Sequence, residues 1–262
     1  MKKLLLMMLS LTIVLSLAGS DLYAQPQKLK VGCVETSLGI LETLAPYAKE
    51  KGYEIEPVIF DNNVNVIRAL NDGSVDASLG VHKPFMEKFN AENKGDLVMV
   101  TPYAYYAGMG LFSQKHKTLA DIPDKARIAI MNDVMNMDRA LRILQDAGLL
   151  KLKQTDGVIT ILDIAENPKK LELIEMDQIQ TVRALSELDG AVVFFTHMVN
   201  AGLDCRTALF NDLNSKNYPM AMVVKSASED APWAKALEEA LRSEPVKQYM
   251  REKYAGAYDF YD

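Results

Sequence analysis

Arg139 sits where a cation is poorly accommodated. Around it, Ile128-Ala129-Ile130-Met131 has the length and apolarity of a strand, and Asn132-Asp133 makes a polar turn. Met137, Ala140, Leu141, Leu144 and Ala147 then recur at three- and four-residue steps, the buried stripe of an amphipathic helix. Asn136 is the expected N-cap and Gly148 the expected stop. Arg139 therefore falls in the first helical turn, beside unpaired amides and the positive end of the helix dipole. Two readings follow: Asp133 or Asp138 neutralises it, or the strand, turn and helix start form an anion site in which the guanidinium forks onto a carboxylate.

No other residue set offers stronger chemistry. His82, His116 and His197 are scattered, and no CxxC, HExxH or phosphate-binding loop occurs, so neither a metal nor a cofactor is expected. Gly108-x-Gly110 lacks the third glycine of a dinucleotide fingerprint. Cys33 with His82 or His197 as base would be a nucleophile pair. A lone cysteine at a strand end reads first as a small core residue, however, and an enzyme is not expected.

The elements that must hold Arg139 alternate. Strands are predicted at 29–34, 53–60, 75–79, 97–100, 110–113, 128–131, 157–161, 171–175, 190–195 and 218–225. Helices are predicted at 38–51, from Asn63 to Asn71, from Pro84, to Gly148, and at 178–188, 234–242 and 246–254. Strands joined by single amphipathic helices imply right-handed crossovers and parallel sheets. In such sheets ligands sit beyond the carboxyl ends of the strands. Here those ends are Glu35 to Ser37, Asn62-Asn63, His82, Asn132-Asp133 and Phe194 to His197, polar or aromatic turns suited to a cleft between two lobes.

The chain has 262 residues, 49% hydrophobic and 24% charged, ample for two modest domains. Met1-Lys2-Lys3 followed by an apolar stretch from Leu4 to Gly19 is an export signal, too short for a membrane span. Ser20 stands where a lipoprotein cleavage box would carry cysteine, and Leu22-Tyr23-Ala24 offers an ordinary cleavage site. Loss of residues 1–24 removes two lysines and one aspartate, moving the net charge from −6 to −7. That mild acidity argues against a nucleic-acid partner. Cys33 and Cys205 are expected to be unpaired thiols.

An ordered series of segments carries a family resemblance: LKVG at 29–32, RALNDGSVDASL at 68–79, HKPFMEKFN at 82–90, MGLFSQK at 109–115, IAIMNDVMNMDRAL at 128–141, ENPKKLEL at 166–173 and NAGLD at 200–204. In this the chain resembles the NlpA/MetQ-type methionine-binding lipoproteins, substrate-binding components of methionine ABC importers. The resemblance implies an α/β, type II periplasmic-binding-protein fold: two lobes, two crossing segments and a ligand cleft between them. Residues 25–104 with 220–262 would form lobe one and 105–219 lobe two. Ligand positions carry over at His82, Asn132, Asn136 and Arg139, with Arg139 on the ligand carboxylate.

The chain also departs from the family pattern. Val34-Glu35-Thr36-Ser37-Leu38 replaces a Thr-Pro-x-Pro-His-type turn, Asn63 and Gly80 replace aromatics, and Phe194-Phe195-Thr196 replaces Asn-Gly-Asn. Glu35 would then take a cationic amine, with Phe194, Phe195, Phe85 or Tyr105 stacking; Asn63 and Thr196 are also expected at the ligand. The resulting expectation is an exported, monomeric solute-binding protein for a methionine-like amino acid or short peptide, at the periplasm or the outer face of the cytoplasmic membrane, serving an ABC permease and its ATPase. The other expectation is a surface interaction protein that kept the fold without the transport role.

Overall fold

A computed structural model describes residues 25–155 and 157–262, so the export signal lies outside the described residues. Two five-stranded sheets carry the architecture. The first runs Tyr53–Phe60, Gln27–Val34, Ala77–Ser78, Val223–Lys225, Leu97–Met99 from edge to edge. Gln27–Val34 pairs in parallel with Tyr53–Phe60 over its whole length, while Val223–Lys225 runs antiparallel to both neighbours. The chain thus leaves this sheet, builds the second, and returns to insert one strand.

The second sheet runs Glu172–Met176, Arg127–Met131, Gly190–Phe194, Met109–Phe112, Phe210–Asn211, the first three parallel and the last two antiparallel. Its central strands, Arg127–Met131 and Gly190–Phe194, are almost wholly buried, as continuous apolar runs require. A third, three-stranded antiparallel sheet joins the two: Pro219–Met220, Tyr105–Ala107, Tyr258–Phe260. The aromatic stretch Tyr103-Ala104-Tyr105-Tyr106, between the strands predicted at 97–100 and 110–113, leads into this crossing sheet. The terminal helices Pro232–Leu241 and Glu244–Lys253 pack on Glu35–Glu50, burying Leu237, Leu241, Val246 and Met250 with Leu41 and Leu44.

Several local expectations are corrected. Residues 157–161 form no strand; Thr160 and Asp163 close a capping box around the 3-10 turn Ile161–Asp163 instead. The strand placed at 75–79 shrinks to Ala77–Ser78, and Phe195 begins the helix Phe195–Asn200. The helix expected from Leu38 starts at Glu35. Asn136 does not cap its helix. Val134–Asp146 is capped by Asp133, whose carboxylate accepts from the Asn136 amide at 3.0 Å and from its Nδ2 at 2.9 Å. A charged acceptor at the turn outcompetes a neutral one three residues later, and Asn136 is left inside the first turn. Cys33 and Cys205 are buried free thiols.

Candidate functional site

Strand ends from both sheets converge on one cleft with two chambers. The outer chamber, about 330 Å³, is walled by Asn62, Asn63, Arg68 and Phe85 from the first-sheet side and by Asn132, Asp133, Asn136, Asp177 and Gln178 from the second. The inner chamber, about 40 Å³, lies against the crossing sheet through Tyr105, Met220 and Tyr258. Thr36, Ser37 and His82 bound it on one side, Phe194, Thr196 and His197 on the other. Asn63, Asn136 and Gln178 belong to both chambers.

Eight of the eleven residues expected at a ligand therefore come together here: His82, Asn132, Asn136, Asn63, Phe85, Tyr105, Phe194 and Thr196. Three, Phe195, Glu35 and Arg139, do not. Glu35 is exposed and lines a separate surface hollow with Arg183 and Tyr254.

Arg139 is 1% exposed and stands one layer behind the wall. Its Nε donates to Asp212 at 2.6 Å, and Nη2 donates to the Ala107 carbonyl at 3.0 Å and to Ser215 Oγ at 3.1 Å. The Tyr218 ring covers the guanidinium at 4.1 Å and Phe194 lies 5.4 Å away. Its neutralising partner is thus neither Asp133 nor Asp138. Asp138 is engaged by Arg142 through two bonds of 2.9 and 3.0 Å, and it also accepts from the Ile159 amide.

His82 bridges the cleft. It caps the helix Lys83–Asn93, its Nδ1 accepting from the Phe85 amide at 3.2 Å. That bond leaves the proton on Nε2, which donates to Asn136 Oδ1 at 3.3 Å. Burial, and after it Arg139, pushes the His82 pKa down to about 3, so the ring is neutral at physiological pH. Asp133, raised by burial and then by Asp177 across the chamber, and the exposed Arg68 supply the charge at the outer mouth.

Residue patterns alone left out Ser37, Arg68, Asp177, Gln178, His197 and Tyr258. Ser37 and His197 lie at strand ends the pattern marks, while Asp177 and Gln178 follow Glu172–Met176, a parallel strand of the second sheet whose end the pattern does not mark. Among the described residues, no group of three His, Cys, Asp or Glu is placed to hold a metal, and no helix is long and apolar enough to cross a membrane.

Two α/β units, joined by a crossing sheet and enclosing a cleft at their strand ends, define the class of two-lobed solute-binding folds. Within it the chain belongs to the NlpA lipoprotein family, whose model matches residues 29–259. It is 31% identical to the methionine-binding lipoprotein MetQ of Bacillus subtilis over 98% of both chains. Among solved structures it resembles a nutrient-binding protein from Burkholderia cenocepacia bound to methionine, with TM-score 0.84, 31% identity, and 89% of this chain and 100% of the other covered. It also resembles the substrate-binding protein of a methionine transporter from Streptococcus pneumoniae, with TM-score 0.82, 32% identity, and coverage of 90% and 96%.

Proposed function

We propose that this protein is an exported, non-enzymatic solute-binding protein that captures methionine, a related amino acid or a short peptide by its free carboxylate and delivers it to an ABC permease with its ATPase. The observation that carries the reading is the cleft itself, with walls from two sheets and a His82–Asn136 bond across it. In this reading residues 25–104 with 220–262 form one lobe and 105–219 the other. The protein acts as a monomer at the periplasm or the outer face of the cytoplasmic membrane. His82, Asn63, Phe85, Tyr105, Asn132, Asn136, Phe194 and Thr196 face the ligand. Arg139 acts through the wall it fixes, by way of Ala107, Phe194 and Tyr218. The relatives' methionine ligands and the outer chamber, whose volume suits an amino acid, support this assignment.

The test is thermal unfolding of the mature chain with L-methionine, D-methionine, the other free amino acids and methionine-containing dipeptides. A ligand at one hundred times its Kd stabilises by about 2.7 kcal/mol, a shift of several degrees. Native mass spectrometry of the purified protein would identify any ligand retained. No stabilising compound in the panel, and none co-purifying, would replace this reading with that of a surface interaction protein.

A further inference from the structure

The cleft continues past the outer chamber. A further hollow of about 330 Å³ adjoins it, and the two share Val64, Arg68, Phe85, Asn132 and Asp133. The outer chamber alone suits a free amino acid, so the adjoining space is room for a longer ligand.

The walls change character along this path. Apart from the shared residues, the outer chamber is lined by asparagine, aspartate and glutamine alone: Asn62, Asn63, Asn65, Asn136, Asp177 and Gln178. The adjoining hollow has Phe89, Val134 and Met135 instead, beside Asn93 and the ion pair Lys88–Glu92 at 2.8 Å. Its apolar surface comes from both sides of the cleft. Phe89 lies on helix Lys83–Asn93, whereas Val134 and Met135 open helix Val134–Asp146. Met135 packs, with Val64, against the apolar cluster that includes Phe85 and Phe89. Val134, at the first helical position, is by contrast 44% exposed. It lines the same hollow as Val64 and Phe89, so it belongs to one apolar strip and is not a scattered surface residue. A second apolar group laid on that strip would take it out of water.

Charge sets the direction of such a ligand. Lys88 and Glu92 neutralise each other, which leaves Asp133 and Arg68 as the charges common to both spaces. Among the described residues the outer chamber sets two acids, Asp133 and Asp177, against Arg68. Burial, and after it Asp177, raises the Asp133 pKa, so a cation brought beside the two acids is favoured and a carboxylate is not. The ligand end that suits this junction is an ammonium.

Resting on the reading of a solute held by its free carboxylate, we propose that the adjoining hollow is a subsite for an additional residue, and that the protein captures dipeptides with an apolar first residue. The second residue fills the outer chamber with its carboxylate towards the crossing sheet. The terminal ammonium stands beside Asp133, and the first side chain covers Val134, Val64 and Phe89.

Calorimetry of the mature chain with L-methionine and the dipeptides Gly-Met, Leu-Met and Lys-Met tests this. Leu-Met is expected to bind at least tenfold tighter than Gly-Met or Lys-Met. Val134→Ser should cut the preference for Leu-Met over Gly-Met at least threefold. Val134→Glu, an acid at a helix start where the dipole favours one, should put Lys-Met ahead of Leu-Met. Equal affinity of wild type for Leu-Met and Gly-Met, or a preference unchanged in either variant, would overturn the subsite. A wild type that binds free methionine and none of the dipeptides would overturn it too, while leaving solute capture standing. A wild type that binds neither would overturn the functional reading, and the subsite with it.

Discussion

At the scale of the residue, Arg139 brings a positive charge into the interior, and Asp212, with its side chain 4% exposed, makes that tolerable. The pair is close and further held by Ser215 and the Ala107 carbonyl. Removing one member leaves the other charge buried and alone, which costs about 3–5 kcal/mol, whereas replacing both by apolar groups of similar volume is often neutral. Arg139→Met should therefore lower stability in urea unfolding by about that amount, and Arg139→Met with Asp212→Leu should recover most of the loss. A single variant as stable as wild type would refute the ion pair. The sequence made Arg139 conspicuous by predicting it in a first turn, a local property; with Asp133 as the cap it stands instead in the second turn of Val134–Asp146. Its partner lies 73 residues away, on the loop after Phe210–Asn211, and no local spacing could indicate it. His197 stands at a strand end that the pattern marks, but only the fold places its ring at the inner chamber.

At the scale of the element, the helices announced themselves more clearly than the strands. Asn62 caps as its type suggests, Pro84 sits at a helix start, and Gly73 and Gly148 take left-handed φ angles of +77° and +74° just past helix ends. At Gly148 an added Cβ would meet nothing within 4 Å. Gly148→Ala consequently isolates the backbone term, and its expected cost is about 1–2 kcal/mol, the penalty of an L-residue in that region. A melting temperature unchanged from wild type would contradict the cap. Strand prediction failed where the signal is shared with turns. Gly157 to Ile161 has apolar residues at alternating positions, but Thr160 and Asp163 satisfy the local backbone with their own side chains, and Ile161 opens a 3-10 turn. The asparagine at 136 misled in the same way, because two potential caps stood three residues apart and sequence does not say which backbone turns first.

At the scale of the whole molecule, the alternation of strand and helix made the parallel part of each sheet legible, while the antiparallel strands Val223–Lys225 and Met109–Phe112 make both sheets mixed. That the chain crosses twice is implied only by the family resemblance and by no local pattern; the strand by which it re-enters the first sheet is Val223–Lys225. The last antiparallel strand was not legible, because Tyr258–Phe260 is short and gains its order only from pairing with Tyr105–Ala107. The return is fastened by Glu238, 2% exposed, whose Oε2 accepts from the Met222 amide at 2.7 Å. Burial pushes its carboxyl up to about 8 from an ordinary 4.5. The folded protein therefore holds a proton that the unfolded chain has lost, so this group's contribution is intact below pH 4.5 and fades as pH climbs towards 8. The slope is at most roughly 1.4 kcal/mol per pH unit in that window. Glu238→Gln should flatten the stability profile between those limits, as read by urea unfolding at a series of pH values; a wild-type profile already flat there would contradict the protonated carboxyl.

The three-stranded crossing sheet has a consequence for biogenesis. Its two outer strands, Pro219–Met220 and Tyr258–Phe260, both lie late in the chain, and each pairs with the central strand Tyr105–Ala107. A nascent polypeptide emerging from a translocation pore can lay down much of either sheet early, yet the floor beneath its cleft stays unfinished until residue 260 is free. The molecule thus becomes competent to receive cargo only at the end of its passage, and a chain cut short in transit would be folded in parts but blind to its solute.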